Sequence, residues 1–283
     1  MKWTVNQQEI DLSRRGMIMG ILNVTPDSFS DGGRFVETAA AVEHALALEA
    51  QGAQIIDIGG ESTRPGALAV TEEEELRRVV PVIRSLRERS QVLISIDTSK
   101  AQVAKEAIQA GADIINDVTG MGGDPAMLEV ARQSRAGIVL MHMQGEPRTM
   151  QAAPQYEDVV AEVHQYLEER IAFCIQAGIS PDRLVIDPGI GFGKTVAHNS
   201  LLLRDLDRFA ALGYPLLIGV SRKSFLGRLT SGNNVENRLW PSVAVTSLSR
   251  EKGARIFRVH DPKPHHDALR MTEAVLGQHC SSA

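Results

Sequence analysis

The stretch from Tyr214 to Gly227 places four residues able to do chemistry at the end of an apolar run. The run 215–220 has the length and character of a buried parallel strand, and Ser221-Arg222-Lys223-Ser224 follows it directly. Two cations and two hydroxyls at this point can bind an anionic or polar ligand. The alternative is the solvated start of an ordinary loop, and this stretch alone does not decide between them.

Polar residues stand at the ends of the other apolar runs as well. In chain order they are Asn23, Asp57, Asp97, Asn116, His142, Asp187, Arg258 and His260. One such residue usually caps the next helix or binds loop amides. A whole set in register is better explained by a shared site, because converging carboxylates and amides are costly to bury unless they pair with each other or with a ligand.

The residue types indicate the ligand. Asp97, Asn116 and Asp187 supply acceptors and an amide that suit a flat heterocycle with an amino-amidine edge. Cations suited to phosphate are supplied by Arg64, Lys223, Arg258 and His260. We therefore expect a ligand that has a polar ring and a phosphorylated arm. Two turn-rich loops, 25–33 with Phe29 and 59–66 with Arg64, are expected to close over it.

A glycine-rich segment and a single asparagine bear on nucleotide and metal binding. The segment 187–194 lacks the Walker spacing, because three residues rather than four separate Gly189 from Gly193. We interpret it as a tight turn that presents Asp187 and Phe192, and we do not expect ATP. No cluster of His and Cys indicates zinc. Asn23 together with a diphosphate can hold Mg²⁺, which binds through one or two protein oxygens and substrate phosphates.

Strand-like and helix-like segments alternate along the chain. The apolar runs are 17–24, 54–60, 92–97, 113–118, 137–143, 184–188, 215–220 and 255–260. Helical periodicity is found at 39–50, 72–88, 101–109, 125–133, 157–176, 201–212 and 237–251. This alternation predicts parallel strands joined by helices. Eight runs favour a closed (β/α)₈ TIM barrel over an open doubly wound sheet.

The chain is predicted to be one domain over residues 1–283, with 1–16 as an N-terminal extension or hairpin beneath the barrel. No linker or shift in composition divides it. Glycines are expected to end the helices in the left-handed conformation, shortly before the next strand. They are Gly52, Gly111, Gly137, Gly178, Gly213 and Gly253.

Composition excludes several classes of protein. The 283 residues are 43% hydrophobic with a net charge of −5, and no basic face indicates a nucleic-acid partner. No apolar run is long enough to span a membrane, and the first residues lack the apolar core of a signal peptide. Cys174 and Cys280 are expected to be reduced thiols. We expect a cytoplasmic enzyme.

Long motifs resemble those of the dihydropteroate synthase family, and the likeness covers residues 17–276. The motifs are GILNVTPDSFSDGG at 20–33, DIGGESTRPG at 57–66, SIDTS at 95–99, ND at 116–117, MHMQG at 141–145, DPGIGFGK at 187–194, SRKS at 221–224 and RVHD at 258–261. The resemblance implies a (β/α)₈ transferase of folate biosynthesis. It would condense 6-hydroxymethyl-7,8-dihydropterin diphosphate with p-aminobenzoate and release diphosphate. The bond to diphosphate would break first, in a dissociative reaction. Sulfonamides would compete for the subsite that binds p-aminobenzoate.

The resemblance also implies roles for residues, Mg²⁺ as cofactor and a homodimer formed by the last helices. The catalytic residues would be Asp97, Lys223 and Arg258. The pterin would be held by Asp97, Asn116, Met141, Asp187, Lys223 and Arg258. The diphosphate would be held by Asn23, Thr63, Arg64, Arg258 and His260, with the metal on Asn23. The p-aminobenzoate would contact Phe29, Thr63, Pro65, Phe192, Lys223 and Ser224.

The chain departs from the family pattern near its end. Trp240-Pro241-Ser242 stands where the family has small residues of the Gly-Ser type at the start of the helix before the last strand. Pro262 and Pro264 follow the last motif. Proline fits a first helical turn, so we expect a changed helix start and an intact fold. Two alternatives are a pterin-dependent methyltransferase, which has no need of the SRKS and TRP motifs, and a non-catalytic pterin-binding paralogue, in which loop or cation residues would be lost.

Overall fold

A closed barrel of eight parallel strands organises the chain. The computed structural model describes residues 1–25, 34–62, 69–145, 149–230 and 234–277. Within these ranges the strands follow the order β10-β3-β4-β5-β6-β7-β8-β9 around the barrel. Their bounds are β3 Met17–Asn23, β4 Ile55–Gly59, β5 Leu93–Asp97, β6 Ile114–Asp117, β7 Gly137–Met141, β8 Leu184–Asp187, β9 Leu216–Ile218 and β10 Ala254–Val259. The predicted (β/α)₈ barrel is confirmed.

Helices cover the outside of the barrel between the strands. Their bounds are α1 Arg34–Ala50, α2 Glu72–Arg89, α3 Ala101–Ala110, α4 Met127–Gln133, α5 Val159–Gln176, α6 Val196–Arg204, α7 Leu206–Ala210, α8 Ser224–Leu229, α9 Leu239–Glu251 and α10 Pro262–Val275. The single helix predicted at 201–212 is wrong, because α6 ends at Arg204 and α7 follows. Helix α4 begins two residues later than predicted, since Asp124 accepts from the Ala126 amide and forms a turn before it.

Strand residues alternate between the barrel interior and the helix layer, as the period of two requires. Ile55, Ile114 and Val185 pack inside the barrel, whereas their neighbours Ile56 and Ile115 pack under the helices. Positions two residues further along each strand therefore point inward again, one layer nearer to the carboxyl ends. This layer holds the residues of the site described below.

An antiparallel hairpin closes the amino end of the barrel. It consists of β1 (Lys2–Val5) and β2 (Gln8–Asp11). Trp3 is fully buried against the inner layer of the barrel, and its indole N–H donates to the Arg183 carbonyl at 3.0 Å. Gly137, the first residue of β7, leaves room for it: a Cβ there would lie 2.6 Å from the Trp3 ring. The hairpin thus fills the end of the barrel opposite the site.

Most of the predicted glycine caps are present. Gly52, Gly111, Gly178, Gly213 and Gly253 all have positive φ at helix ends. Gly137 was expected to do the same, and this is wrong, because it belongs to β7 and is required by the close approach of Trp3. Pro241 lies in the first turn of α9, as predicted, and Pro262 begins α10. None of the described helices is both long and apolar enough to cross a membrane.

Candidate active site

A cavity opens at the carboxyl ends of the barrel strands, where a TIM barrel carries its active site. It is lined by Ile21, Asp97, Asn116, Val118, Met141, Asp187, Phe192, Gly219, Ser221, Lys223, Arg258 and His260. Most of the predicted pterin, diphosphate and p-aminobenzoate residues in the described ranges are therefore brought together. Phe29, Thr63, Arg64 and Pro65 lie outside the described residues.

Arg258 forms the centre of a buried ion network. Its Nε donates to Asp57 Oδ2 and its Nη2 to Asp97 Oδ2, each at 2.6 Å. The Asn116 amide nitrogen donates to both oxygens of Asp57 at 3.2 and 3.3 Å. Burial disfavours the charged guanidinium, but Asp57 and Asp97 outweigh it and raise the pKa of Arg258. Arg258 is therefore a cation whose Nε and Nη2 donors are both held by carboxylates.

The pKa of the Asp97 carboxyl is raised into the physiological range. Burial raises the pKa of this carboxyl to about 7; Arg258 acts in the opposite direction, and the nearby Asp57 carboxylate adds to the rise. Burial also raises the pKa of Asp187, although the Gly189 amide donates to its Oδ1 at 2.7 Å and lowers that pKa. Such shifts are typical of functional sites.

Lys223 lies at the seam between the carboxylates and an aromatic wall. Its Nζ donates to the Ile190 carbonyl and lies 4.3 Å from the centre of the Phe192 ring. Burial lowers the pKa of Lys223 to about 7, and Asp187 opposes that shift. Lys223 also packs over Gly191, where a Cβ would lie 2.8 Å from its Cδ. The cation is thus held between the 188–195 loop and the cavity.

The loops after β9 and β10 are tied to each other by two contacts. Ser221 Oγ accepts from the His260 amide at 3.1 Å and lies 3.1 Å from the His260 Nδ1. Arg222 pairs with Asp261 through Nε at 2.9 Å and Nη2 at 2.5 Å. Its backbone has φ of 59°, a left-handed conformation that costs a non-glycine residue energy. Arg222 therefore links the loop after β9 to Asp261, which directly precedes α10.

Two predicted residues lie at the margin of the site. Asn23 ends β3 and is partly exposed, and Ser224 is the exposed first residue of α8; neither lines the cavity. Among the described residues no group of three or more His, Cys, Asp or Glu is arranged to hold a metal ion. The Asn23 amide oxygen still suits Mg²⁺, because that ion commonly keeps its waters and takes few protein oxygens beside substrate phosphates.

Asp57 was present among the polar strand ends but was assigned no role from sequence. It is fully buried inside β4, between two isoleucines, and does not line the cavity. An acid inside an apolar strand requires a hydrogen-bond donor as a partner, and this requirement is the sequence feature that indicates a role for Asp57. The partners, Arg258 and Asn116, lie 201 and 59 residues away in sequence, so their identity required the fold.

Comparison with known proteins agrees with this arrangement. The "Pterin binding enzyme" family matches residues 19–260. The dihydropteroate synthase of Escherichia coli K12 is 49% identical over 276 residues, which cover 98% of this chain and 97% of that protein. The Xanthomonas albilineans dihydropteroate synthase with 4-aminobenzoic acid superposes with a TM-score of 0.91 at 47% identity, covering 98% of this chain and 99% of that one.

A second structure of the Xanthomonas albilineans enzyme, in complex with 7,8-dihydropteroate, has a TM-score of 0.88 at 45% identity and covers 98% of this chain and 99% of that one. Both the family match and the relatives therefore span the barrel and its carboxyl-end loops. The resemblance inferred from the motifs is confirmed. The chain belongs to the dihydropteroate synthase family of pterin-binding enzymes.

Proposed function

We propose that the cavity joins 6-hydroxymethyl-7,8-dihydropterin diphosphate to p-aminobenzoate, giving 7,8-dihydropteroate and diphosphate. The observation that carries this proposal is the arrangement of Asp97, Asn116, Asp187, Lys223 and Arg258 around one cavity at the barrel mouth. Acids and an amide suit the polar ring, and cations suit the phosphates and the aryl carboxylate. The relatives with 4-aminobenzoic acid and with 7,8-dihydropteroate support the same pair of substrates.

The pterin ring lies in the deep part of the cavity. The Asp187 carboxylate accepts hydrogen bonds from the amino-amidine edge of the ring, and the Asn116 amide can accept from and donate to the same edge. Asp97 faces the part of the ring next to the reacting methylene. The planar Arg258 group stacks on the ring while its Nε and Nη2 stay on Asp57 and Asp97. Met141 is buried at the cavity wall and packs against the ring edge.

The p-aminobenzoate lies nearer to solvent, between Phe192 and Lys223. Phe192 provides an aromatic face, and Lys223 provides a cation that reaches both substrates. The first residue of α8, Ser224, receives the aryl carboxylate. Phe29, Thr63 and Pro65, which are outside the described residues, complete this subsite by the family pattern. Sulfonamides compete for the same place.

The diphosphate lies on the cation side, with Arg258, His260 and Asn23, and with Thr63 and Arg64 outside the described residues. The Asn23 amide oxygen would help to hold Mg²⁺ beside the phosphates, and the ion would supply positive charge to the leaving group when bound. His260 is kept in place by Ser221, which contacts both its amide and its Nδ1. The charge of the departing diphosphate is therefore met by groups that are already positioned.

Catalysis is dissociative. The carbon–oxygen bond to diphosphate breaks first, and the pterin methylene becomes cationic beside the Asp97 carboxylate. The aniline nitrogen then attacks this carbon and loses its proton, and no protein atom becomes covalently attached. Lys223 orients the aryl ring for that attack. A covalent adduct between protein and pterin, trapped and seen by mass spectrometry, would refute this order.

We also infer a homodimer formed through α9 and α10. Large apolar side chains on these adjacent helices are exposed: Trp240 by 70%, Leu248 by 58%, Met271 by 65% and Val275 by 76%. A monomer rarely leaves such a cluster to solvent, and one surface patch on each of two copies can close a symmetric pair. The cytoplasmic location stays a prediction from the sequence.

The reaction is tested by mixing the purified chain with both substrates and Mg²⁺ and measuring 7,8-dihydropteroate and diphosphate. Product formed in equal amounts supports the synthase. Pterin binding without turnover supports the non-catalytic paralogue, and methyl transfer from a methylated pterin to a cobalamin protein supports the methyltransferase. The family comparisons already favour the synthase over both.

A further inference from the structure

Lys194 is a buried cation that does not line the cavity. Its side chain is 2% exposed. Its Nζ lies 2.9 Å from His142 Nδ1, 3.0 Å from the Phe192 carbonyl oxygen and 3.4 Å from the His142 carbonyl oxygen. No carboxylate in the described part of the chain lies within ion-pair distance of it; burial lowers the pKa of Lys194 well below its usual value, and the charge of Asp187 opposes that shift. A lysine buried without a directly paired carboxylate is costly, so its position requires a reason.

The acceptors around Lys194 join two separate segments. His142 directly follows β7, and Phe192 belongs to the 188–195 loop after β8. Burial, and then the charge of Lys194, lower the pKa of His142 to about 3, so its ring is neutral and Nδ1 is available as an acceptor. An ammonium has three donors for three acceptors, and a neutral amine would still keep the two shorter bonds. The link therefore persists in either protonation state of Lys194.

Other contacts hold the same loop against the segment after β7 and against α6. The Tyr156 hydroxyl donates to the Gly193 carbonyl at 3.0 Å, and the Gly191 amide donates to Asn199 Oδ1 at 2.7 Å. A Cβ at Gly189 would overlap the His142 carbonyl oxygen. None of these contacts reaches Phe192 itself. Lys194 is thus the described side chain that bonds the backbone of the residue carrying the aromatic wall.

Phe192 transmits this restraint to the cavity. Its carbonyl is held by Lys194, its ring lines the cavity, and the centre of that ring lies 4.3 Å from Lys223 Nζ. We propose that Lys194 is a positioning residue for the p-aminobenzoate subsite, where it fixes the Phe192 ring against Lys223. This proposal rests on the proposed function. The pterin residues Asp97 and Asn116 belong to other strands. Met141 and Asp187 adjoin the linked segments, but the bond from the His142 amide to the Asp187 carbonyl at 3.0 Å joins those strand ends without Lys194.

The proposal predicts a selective defect in Lys194→Met. The change removes the donors and keeps an unbranched apolar side chain, so the Phe192 carbonyl loses its bond to Lys194, while the Phe192 amide keeps its bond to the Gly189 carbonyl at 3.1 Å. A wall displaced by a fraction of an ångström should raise the KM for p-aminobenzoate about tenfold. The dissociation constant of the pterin diphosphate, measured without p-aminobenzoate, should stay within about threefold of wild type. Lys105→Met, on the exposed side of α3, is the matched control and should change neither.

A double-mutant comparison separates positioning from a general loss of structure. If Lys194 acts through Phe192, then Lys194→Met added to Phe192→Leu should raise the p-aminobenzoate KM less than about twofold further. Additive effects, or equal losses of pterin and p-aminobenzoate affinity in the single variant, would overturn the proposal. A wild-type KM in Lys194→Met would overturn it as well.

A second variant covers the case in which Lys194→Met does not fold. His142→Phe keeps a ring and removes the Nδ1 acceptor, so it should raise the p-aminobenzoate KM in the same selective way. An unchanged KM in His142→Phe would contradict the link. All these measurements are made against wild-type enzyme that forms dihydropteroate. Failure of the wild type to do so would count against the proposed function instead.

Discussion

Asp57→Asn is the most informative single change, because Asp57 does not line the cavity and yet holds two residues that do. The Asp57 carboxylate accepts from Arg258 Nε at 2.6 Å and from the Asn116 amide at 3.2 and 3.3 Å. An asparagine offers one acceptor oxygen, and its NH₂ group must then face a donor. Either Arg258 or Asn116 therefore loses its partner inside a buried network.

The size of the effect follows from the burial of the pair. Removing one member of a buried ion pair costs about 3–5 kcal/mol. Arg258 is 19% exposed and keeps Asp97 on Nη2, so we expect about 2–3 kcal/mol of lost stability for Asp57→Asn. For a chain of this size that corresponds to a fall in Tm of roughly 4–12 °C. Arg258 displaced by about 1 Å should also lower kcat/KM about a hundredfold.

The matched control is Asp113→Asn at the opposite end of the barrel. Asp113 pairs with Arg87 at 2.5 Å and accepts from the Ile94 amide at 2.8 Å, far from the cavity. Its replacement should lower Tm by a similar amount and leave kcat/KM within about twofold of wild type. Thermal unfolding and steady-state kinetics on both variants give the comparison. Wild-type turnover in Asp57→Asn, or a loss no greater than that in Asp113→Asn, would refute the reasoning.

Further predictions concern charge, metal and assembly. Lys223→Ala should lower kcat/KM by about 30- to 1,000-fold, equivalent to about 2–4 kcal/mol, and near-normal kinetics would contradict its assignment. The kcat/KM profile should fall below pH 7, where Asp97 gains its proton, and above pH 7, where Lys223 loses its own; Lys223→Arg should remove the alkaline limb. EDTA should abolish turnover, and Asn23→Ala should raise the Mg²⁺ needed for half-maximal rate about tenfold; equal Mg²⁺ dependence would exclude Asn23. Met271→Glu should give monomers in light scattering, whereas Ile175→Glu on α5 should not; unchanged mass in Met271→Glu would exclude the α9–α10 interface.

The barrel could be predicted because its signals are local. Each of the eight apolar runs in the sequence overlaps a strand, and the glycine caps mark the joints between helix and strand. The failure at Gly137 had a non-local cause, since Trp3 meets it from the hairpin 134 residues earlier in sequence. The break between α6 and α7 was not predictable from local signals either, because no glycine or proline marks it in the sequence.

The candidate site was partly predictable for a geometric reason. Asp57, Asn116, Asp187 and Arg258 each follow, by two positions, a residue that packs inside the lower barrel, so the strand period alone points them into the mouth. Their pairing was not predictable, because each contact joins different strands. The burial of Lys194 was not predictable either. It stands in a loop that looks exposed by composition, and only the fold places its amine against His142.

The depth of the charges accounts for how one cavity can serve an anionic leaving group and a cationic carbon. Asp57, Asp97 and Asp187 are buried nearly completely, whereas Arg258 and Lys223 lie closer to the opening. In the proposed dissociative reaction, a cation on the pterin methylene would be drawn toward the acids, and the diphosphate toward the cations and solvent. Because Arg258 contacts both Asp57 and Asp97, it limits the repulsion between these two acids. The contacts of Arg258 that stabilise the site would therefore also help to keep apart the two charges that the proposed reaction creates.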